Sequence, residues 1–356
     1  MDILLNDIAR YFNTSPDTLE LLPIQHGIKH KQNVYCLRIR DSNYLLKSYE
    51  IFQSVTPSGF TPREIEQFIL TTLHKNRCHV PQVIWESTKH NALLLEWCGD
   101  MTLDDSVQCA KTPKLSQILQ NCLKSLCKIE TVFEKYSERF TPYIFAYDYN
   151  STLLRILEQG KKTISYLTHL SKKEMSSSEE SHLKMIWTTF CNLLINGRPT
   201  LGPLDYHARN IVINDDIPYF IDFGSVGLDW QERRVIQYFN SVGANFEGGN
   251  FVSMLDGELV ECWINWSVRD KTDYDLKEMT SRIDGHHLLY YLSIIHRLLE
   301  AVARPEEQDN QILLESWGDA GIRFKRAISI ICNTRLSENS CVFQLREIIK
   351  VLHSNA

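Results

Sequence analysis

The segment Leu204-Asp205-Tyr206-His207-Ala208-Arg209-Asn210-Ile211-Val212-Ile213 holds the side chains of this sequence best suited to chemistry, and Phe220-Ile221-Asp222-Phe223-Gly224 follows soon after. Asp205 and Asn210 lie five positions apart on what reads as a loop, a spacing that lets one face an acceptor molecule and the other a metal ion. Asp222 closes the apolar run Tyr219-Phe220-Ile221, which would fix its carboxylate at a strand end. Phosphoryl transfer has few covalent demands. It needs a carboxylate to orient a hydroxyl and accept its proton, and oxygen ligands for metal ions that bridge the phosphates. Mg²⁺ takes few protein oxygens and completes its shell with phosphate and water. Asp and Asn are also common in turns, so the decision rests on the order of the two segments and on the elements before them.

Those elements change character along the chain. Residues 2–12 place Ile3, Leu4, Leu5, Ile8 and Tyr11 at helical spacing. Val34 to Arg40 alternates and is rich in strand formers, Asp41-Ser42-Asn43 reads as a turn, and Tyr44 to Tyr49 as a second strand, so the pair forms a hairpin. Pro62 opens a helix to about Lys75. Strands follow at 80–85 and 92–97. From about residue 103 long amphipathic helices take over, at 116–133, 153–170, 181–195, 288–302 and 342–353, with a polar loop at 171–180 and one compact β segment at 211–222. The expected class is α+β, with a small antiparallel β lobe at 1–97, a hinge at 98–103 and a larger, mostly helical lobe at 104–356.

Asp205, His207 and Asn210, followed by Ile221-Asp222-Phe223, resemble the aminoglycoside phosphotransferase and choline kinase group of the protein-kinase-like superfamily. That group carries Asp-x-His-x-x-Asn, then a strand ending in Ile-Asp-Phe or Ile-Asp-Trp. The resemblance spans about residues 20–240 and implies a bilobal kinase-like fold using ATP, with GTP possible, and Mg²⁺. It implies Asp205 of loop 204–210 as catalytic base, and Asn210 together with Asp222 of segment 221–224 as metal ligands. It further implies that strand residue Lys47 contacts the α- and β-phosphates, a task suited to a point charge on a long stem. Lys47 should pair with a carboxylate of the next helix. Glu66 is preferred and Glu64 remains an alternative. Gly27, with Asn33 and Tyr35, fits a degenerate phosphate-covering loop, and Glu96, Trp97 and Cys98 fit a connector whose backbone meets the adenine. His207 is expected to be a structural part of its loop.

Pro203 stands where many kinases have histidine, and the residues after Asp222 lack the usual Pro and Asp-Leu of the group. No Ala-Pro-Glu follows Phe223-Gly224, and Arg304-Pro305-Glu306 is too distant to substitute for it. This argues against a protein kinase with a conventional activation segment. An atypical protein kinase and a nucleotide-binding pseudokinase are the alternatives. The leading expectation is transfer of a γ-phosphate to a hydroxyl of a small metabolite or an aminoglycoside-like antibiotic. Glu232, Glu247, Asp256, Glu258, Glu261, Trp263 and Trp266 are candidates to line the acceptor site, with 245–250 as a lid.

Bulk composition agrees. The 356 residues are 43% apolar and 23% charged, ordinary for a globular enzyme, and the net charge of −6 gives no basic field for nucleic acid. The ten cysteines form no CxxC pair, so reduced thiols and a cytoplasmic location are expected. Met1-Asp2-Ile3-Leu4-Leu5-Asn6-Asp7 lacks the basic start and longer apolar run of a secretory leader, so none is expected, and no apolar run is long enough for a membrane span. The adjacent His286-His287 reads as a helix start rather than a metal site. Oligomeric state is left open.

Overall fold

The computed structural model describes residues 2–24, 33–49, 56–109, 112–144, 148–172, 174–241, 254–268 and 275–354. The chain forms two compact units. One comprises Met1–Tyr147, Leu201–Asp205 and Arg209–Leu228; the other comprises Asp148–Thr200, Tyr206–Ala208 and Asp229–Ala356.

The first unit opens with helix α1 (Asp2–Tyr11) and strands β1 (Leu19–Pro23), β2 (Val34–Ile39) and β3 (Ser42–Ser48). Helix α2 (Pro62–Lys75) precedes β4 (Val83–Ser87) and β5 (Ala92–Glu96). The five strands make one antiparallel sheet in the order β1-β2-β3-β5-β4. Alternation along the strands separates its faces. On one face Leu37, Ile39, Leu46 and Leu94 pack with Leu4 and Ile8 of α1. Lys47 neighbours Leu46 and therefore points to the other face.

Helix α2 begins with a capping box: the Thr61 side chain accepts from the Glu64 N–H, and the Glu64 carboxylate accepts from the Thr61 N–H. Pro62 occupies the first turn, where its missing N–H costs nothing. Ile65, Ile69, Leu70 and Leu73 are buried along it.

Further along come β6 (Met101–Thr102), α3 (Leu103–Cys109), α4 (Thr112–Lys135) and α5 (Ser137–Phe140). Later segments return to this unit. β7 (Thr200–Pro203) pairs with β10 (Val226–Asp229), and β6 joins the hairpin of β8 (Ile211–Asn214) and β9 (Ile217–Phe220).

The second unit is helical: α6 (Tyr149–Leu170), α7 (Ser177–Ile195), α8 (Gln231–Asn240), α9 (Gly257–Ser267), α10 (Leu276–Ala303), α11 (Gln308–Trp317), α12 (Ala320–Asn333) and α13 (Ser340–Ser354). Helix α10 is its centre, packed against all seven others. Its fully buried residues include Ile283, Leu288, Tyr291, Leu292 and Ile295. Charges buried beside them are paired: Arg346 Nη2 lies 2.5 Å from Asp284 Oδ1, and Arg282 Nε lies 2.8 Å from Glu232 Oε1.

The α+β class is as expected, a five-stranded antiparallel sheet followed by a mostly helical region. Local differences have local causes. The β2–β3 turn is Arg40-Asp41 rather than 41–43, with Arg40 in the left-handed region at φ 55°. The polar stretch 171–180 ends early, because Ser176 and Glu179 form a second capping box and start α7 at Ser177. His286-His287 lies within α10, not at its start, and both histidines are buried. All ten cysteines are free thiols. Among the described residues no helix is long and apolar enough to cross a membrane.

Candidate active site

Lys47 sits on the face of β3 turned away from the α1 core, paired in register with Val34 and Leu93. Its Nζ donates to Glu66 Oε2 and to Asp222 Oδ1, each at 2.6 Å. Glu66 is buried on α2 with its side chain 1% exposed, whereas Asp222 is 19% exposed. Tyr49 donates its hydroxyl to the same Glu66 oxygen, and its ring centroid lies 5.2 Å from Nζ. Burial alone would push the Lys47 ammonium down. The Asp222 and Glu66 carboxylates outweigh that and hold it well above the ordinary lysine value. Burial, then the Glu66 charge, pushes the Tyr49 phenol well up, so it stays a donor.

Of the two glutamates that sequence leaves open, Glu66 is the partner. Glu64 is committed to the capping box, and its carboxyl is held low mainly by the Thr61 backbone N–H.

Asp222 follows β9 by two residues rather than ending it, and its backbone is left-handed at φ 68°. Only Gly, Asn and Asp enter that region at small cost, and such residues cluster at functional sites. The Ile221 N–H donates to the Asn210 carbonyl at 2.9 Å, so one backbone bond joins the two segments just before Asp222. The Asn210 side chain reaches back, its Nδ2 donating to the Asp205 carbonyl at 2.9 Å. With the amide nitrogen so used, Oδ1 is the side-chain atom that can meet a cation. Asp205 itself is exposed, and Arg209 reaches Asp104 Oδ2 at 3.4 Å.

The Asn210 and Asp222 pair fits Mg²⁺. It supplies oxygen donors only, and the Asp222 carboxylate already holds a positive charge in the form of the ammonium. Among the described residues no group of three or more His, Cys, Asp or Glu forms a cage for a metal. Mg²⁺ carried by a phosphate needs no such cage.

Within the second unit, the middle of the loop that carries Asp205 is held by residues that sequence reading did not single out. The Tyr206 hydroxyl donates to Asp229 Oδ2, Arg233 Nη1 donates to the same oxygen at 2.5 Å, and the Trp230 N–H donates to Oδ1 at 2.8 Å. The Ala208 N–H donates to Ser241 Oγ at 2.8 Å. His207 is half-buried.

In the connector, Glu96 pairs with Tyr44, and its Oε2 accepts from the Gln82 N–H at 3.1 Å. Trp97 Nε1 donates to Asp100 Oδ1 at 3.1 Å. Cys98 is buried, and burial pushes its thiol far up. Gly99 has φ 131°, and a Cβ there would meet Asn214 Cβ at 3.3 Å, so the position demands glycine.

Gly27 lies outside the described residues, as do Glu247 and the 245–250 segment. The other acceptor-site candidates divide. Glu232 is tied to Arg282, Trp263 is fully buried, and Asp256 caps α9 by accepting from the Leu259 N–H. Glu258 and Glu261 are exposed, and Trp266 is half-buried.

Comparison with known proteins places this geometry in a fold. An amicoumacin kinase in complex with AMP-PNP, Ca²⁺ and Ami aligns at 14% identity with a TM-score of 0.53, covering 96% of each chain. A Plasmodium vivax ethanolamine kinase aligns at 16% identity and TM-score 0.50, over 99% of this chain and 88% of that one. A wild-type aminoglycoside 2′-phosphotransferase-IIIa in its GDP complex aligns at 12% and 0.50, over 88% and 97%. The chain has their kinase-like fold. No family model matches the sequence, and no curated protein matches it. At these identities the likeness extends to the fold and no further.

Proposed function

We propose that this kinase-like chain transfers the γ-phosphate of ATP, or of GTP, to a hydroxyl of a small molecule with Mg²⁺. The observation that carries the reading is the Lys47–Glu66–Asp222 cluster, built from a strand, a helix and the segment bonded through Ile221 to the Asn210 loop. These are the side chains phosphoryl transfer calls for, gathered within one unit. The nucleotides named for the neighbouring structures, AMP-PNP and GDP, support a purine nucleotide. Their acceptors, ethanolamine and antibiotics, support a small molecule, either a metabolite or an aminoglycoside-like compound.

In this reading Lys47 neutralises the α- and β-phosphates, and Glu66 holds it there. Asn210 Oδ1 and Asp222 hold Mg²⁺, which supplies charge neutralisation along the triphosphate. Asp205 orients the acceptor hydroxyl and accepts its proton as the oxygen attacks the γ-phosphorus, whose bond to the β–γ bridging oxygen breaks so that the nucleoside diphosphate leaves. The Asn210 amide, bonded to the Asp205 carbonyl, keeps base and metal ligand in one fixed loop. Segment 98–103 is proposed as the hinge after the β lobe, with Glu96, Trp97 and Cys98 offering backbone to the base of the nucleotide.

The test is Asp205→Ala assayed with a panel of hydroxylated amines, sugars and antibiotics for ADP release. The wild type should release ADP with one class of acceptor. The variant should lose at least about a thousandfold in turnover while binding Mg·AMP-PNP as before. Undiminished turnover would remove Asp205 from the reaction.

A further inference from the structure

Tyr49 belongs to no motif, yet it completes the Lys47 cluster. It stands two residues beyond Lys47, just past the end of β3, and its hydroxyl reaches the same Glu66 oxygen as the Lys47 ammonium. Its backbone is fixed: its N–H donates to the Asn91 carbonyl at 2.9 Å, and Asn91 Nδ2 donates to its carbonyl at 3.0 Å. Its side chain is buried, at 6% residue exposure. Its hydroxyl donates to Glu66 Oε2, the oxygen that also accepts from Lys47. Its ring lies within cation–π range of the ammonium, at 5.2 Å.

Lys47 therefore has two acceptors of different kinds. Glu66 is 1% exposed, sits on a capped helix and receives a second donor from Tyr49. Asp222 is 19% exposed and sits on a single left-handed residue. A metal-bound nucleotide needs Asp222 to exchange an ammonium for a divalent cation, and needs Lys47 to stay in place for the phosphates. We infer that the Tyr49 hydroxyl is a positioning group: it fixes Glu66 Oε2 so that Lys47 keeps its place when Asp222 is given over to the metal. The hold on Lys47 concerns this chain alone, and only its use in nucleotide binding rests on the phosphotransferase reading. Phenylalanine at position 49 retains the ring and the packing but loses the donor. The buried carboxylate is then free to rotate, and the ammonium follows Asp222.

The experiment compares wild type, Tyr49→Phe and, as a control within β3, Tyr44→Phe. The rate of Lys47 acylation by acetic anhydride is read by mass spectrometry without nucleotide, and the Kd for Mg·AMP-PNP by calorimetry. Thermal unfolding confirms that each protein is folded. In Tyr49→Phe, Lys47 should be acylated about tenfold faster and Mg·AMP-PNP should bind about tenfold more weakly, as expected when a hydrogen bond to a charged group is lost. Tyr44→Phe should match wild type in both. Unchanged acylation in folded Tyr49→Phe overturns the inference, whatever the affinity. Faster acylation in a protein whose wild type binds no Mg·AMP-PNP would sustain the Tyr49 hold and overturn the phosphotransferase reading instead. If Tyr49→Phe does not fold, Glu66→Gln carries the test: it retains Tyr49 and should also speed Lys47 acylation, and an unchanged rate there overturns the inference.

Discussion

Replacing Lys47 by methionine removes the one ammonium shared by two carboxylates, one of which is almost inaccessible to water. At 2.6 Å and an effective dielectric near 20, each contact is worth roughly 6 kcal/mol of Coulomb attraction. Most of that offsets desolvation, and breaking a buried pair from one side costs about 3–5 kcal/mol net. Asp222 can rehydrate and Glu66 retains Tyr49, so the lower end applies, about 3 kcal/mol. Glu66→Leu leaves Lys47 with Asp222 and orphans only the Tyr49 hydroxyl, at about 2 kcal/mol. Lys47→Met/Glu66→Leu strands no buried carboxylate on α2, and its cost should be about 1–2 kcal/mol, not the additive 5. The coupling is then about 3 kcal/mol, read by urea denaturation of all four proteins of the cycle. All three variants should lose Mg·AMP-PNP binding. A coupling under about 0.5 kcal/mol would refute the treatment of Lys47 and Glu66 as one energetic unit.

Acid should destabilise the second unit through α10. Burial, with Arg233 adding to it, pushes His286 down to about 3, and burial with Arg346 pushes His287 down as well. Both are neutral when folded and take up protons on unfolding below the ordinary value of 6.5, so their contribution is complete above that pH and lost as pH falls below it, for His286 toward 3. Between pH 7 and 5 His286 should withdraw about 2 kcal/mol, and His286→Phe should remove that share of the drop seen in urea titrations. Asp229→Ala should cost about 3 kcal/mol and Asp229→Asn about half that, because Arg233 and the Tyr206 hydroxyl lose a fully buried acceptor; thermal unfolding of the pair checks this. Gly99→Ala should cost about 1–3 kcal/mol from its φ of 131° and the 3.3 Å approach to Asn214, measured by denaturant midpoint.

The fold could be read from sequence where local and long-range signals agree. Residues 34–49 alternate, Pro62 opens a helix, and the helical half has long apolar periodicity, so these elements lie near their expected positions. The missed elements are ones whose local chemistry is weak. Strand β1 ends in a proline and owes its existence to pairing with β2. The β2–β3 turn uses Arg40 in a conformation usual for Gly or Asn. The choice between Glu64 and Glu66 was within reach of sequence: Thr61-Pro62-Arg63-Glu64 is a capping-box pattern, which commits Glu64 to the helix end and leaves Glu66 for the sheet. The buried polar group around Asp229 was not within reach. Glu232 and Arg234 owe their burial to distant partners, Arg282 and Thr200, and Arg233 to the buried Asp229, pairings that spacing along the chain does not announce.

The left-handed backbone of Asp222 restricts what this position can become. A β-branched replacement would be strained by its own backbone before any question of charge arose. Asparagine is nearly isosteric and adopts the same dihedrals at small cost, so Asp222→Asn should give a folded protein that has lost one anion and, with it, one of the two charge partners of Lys47. Of the replacements that spare this turn, Gly keeps the backbone but removes the side chain, while Asn keeps its shape and removes only the charge that Lys47 meets.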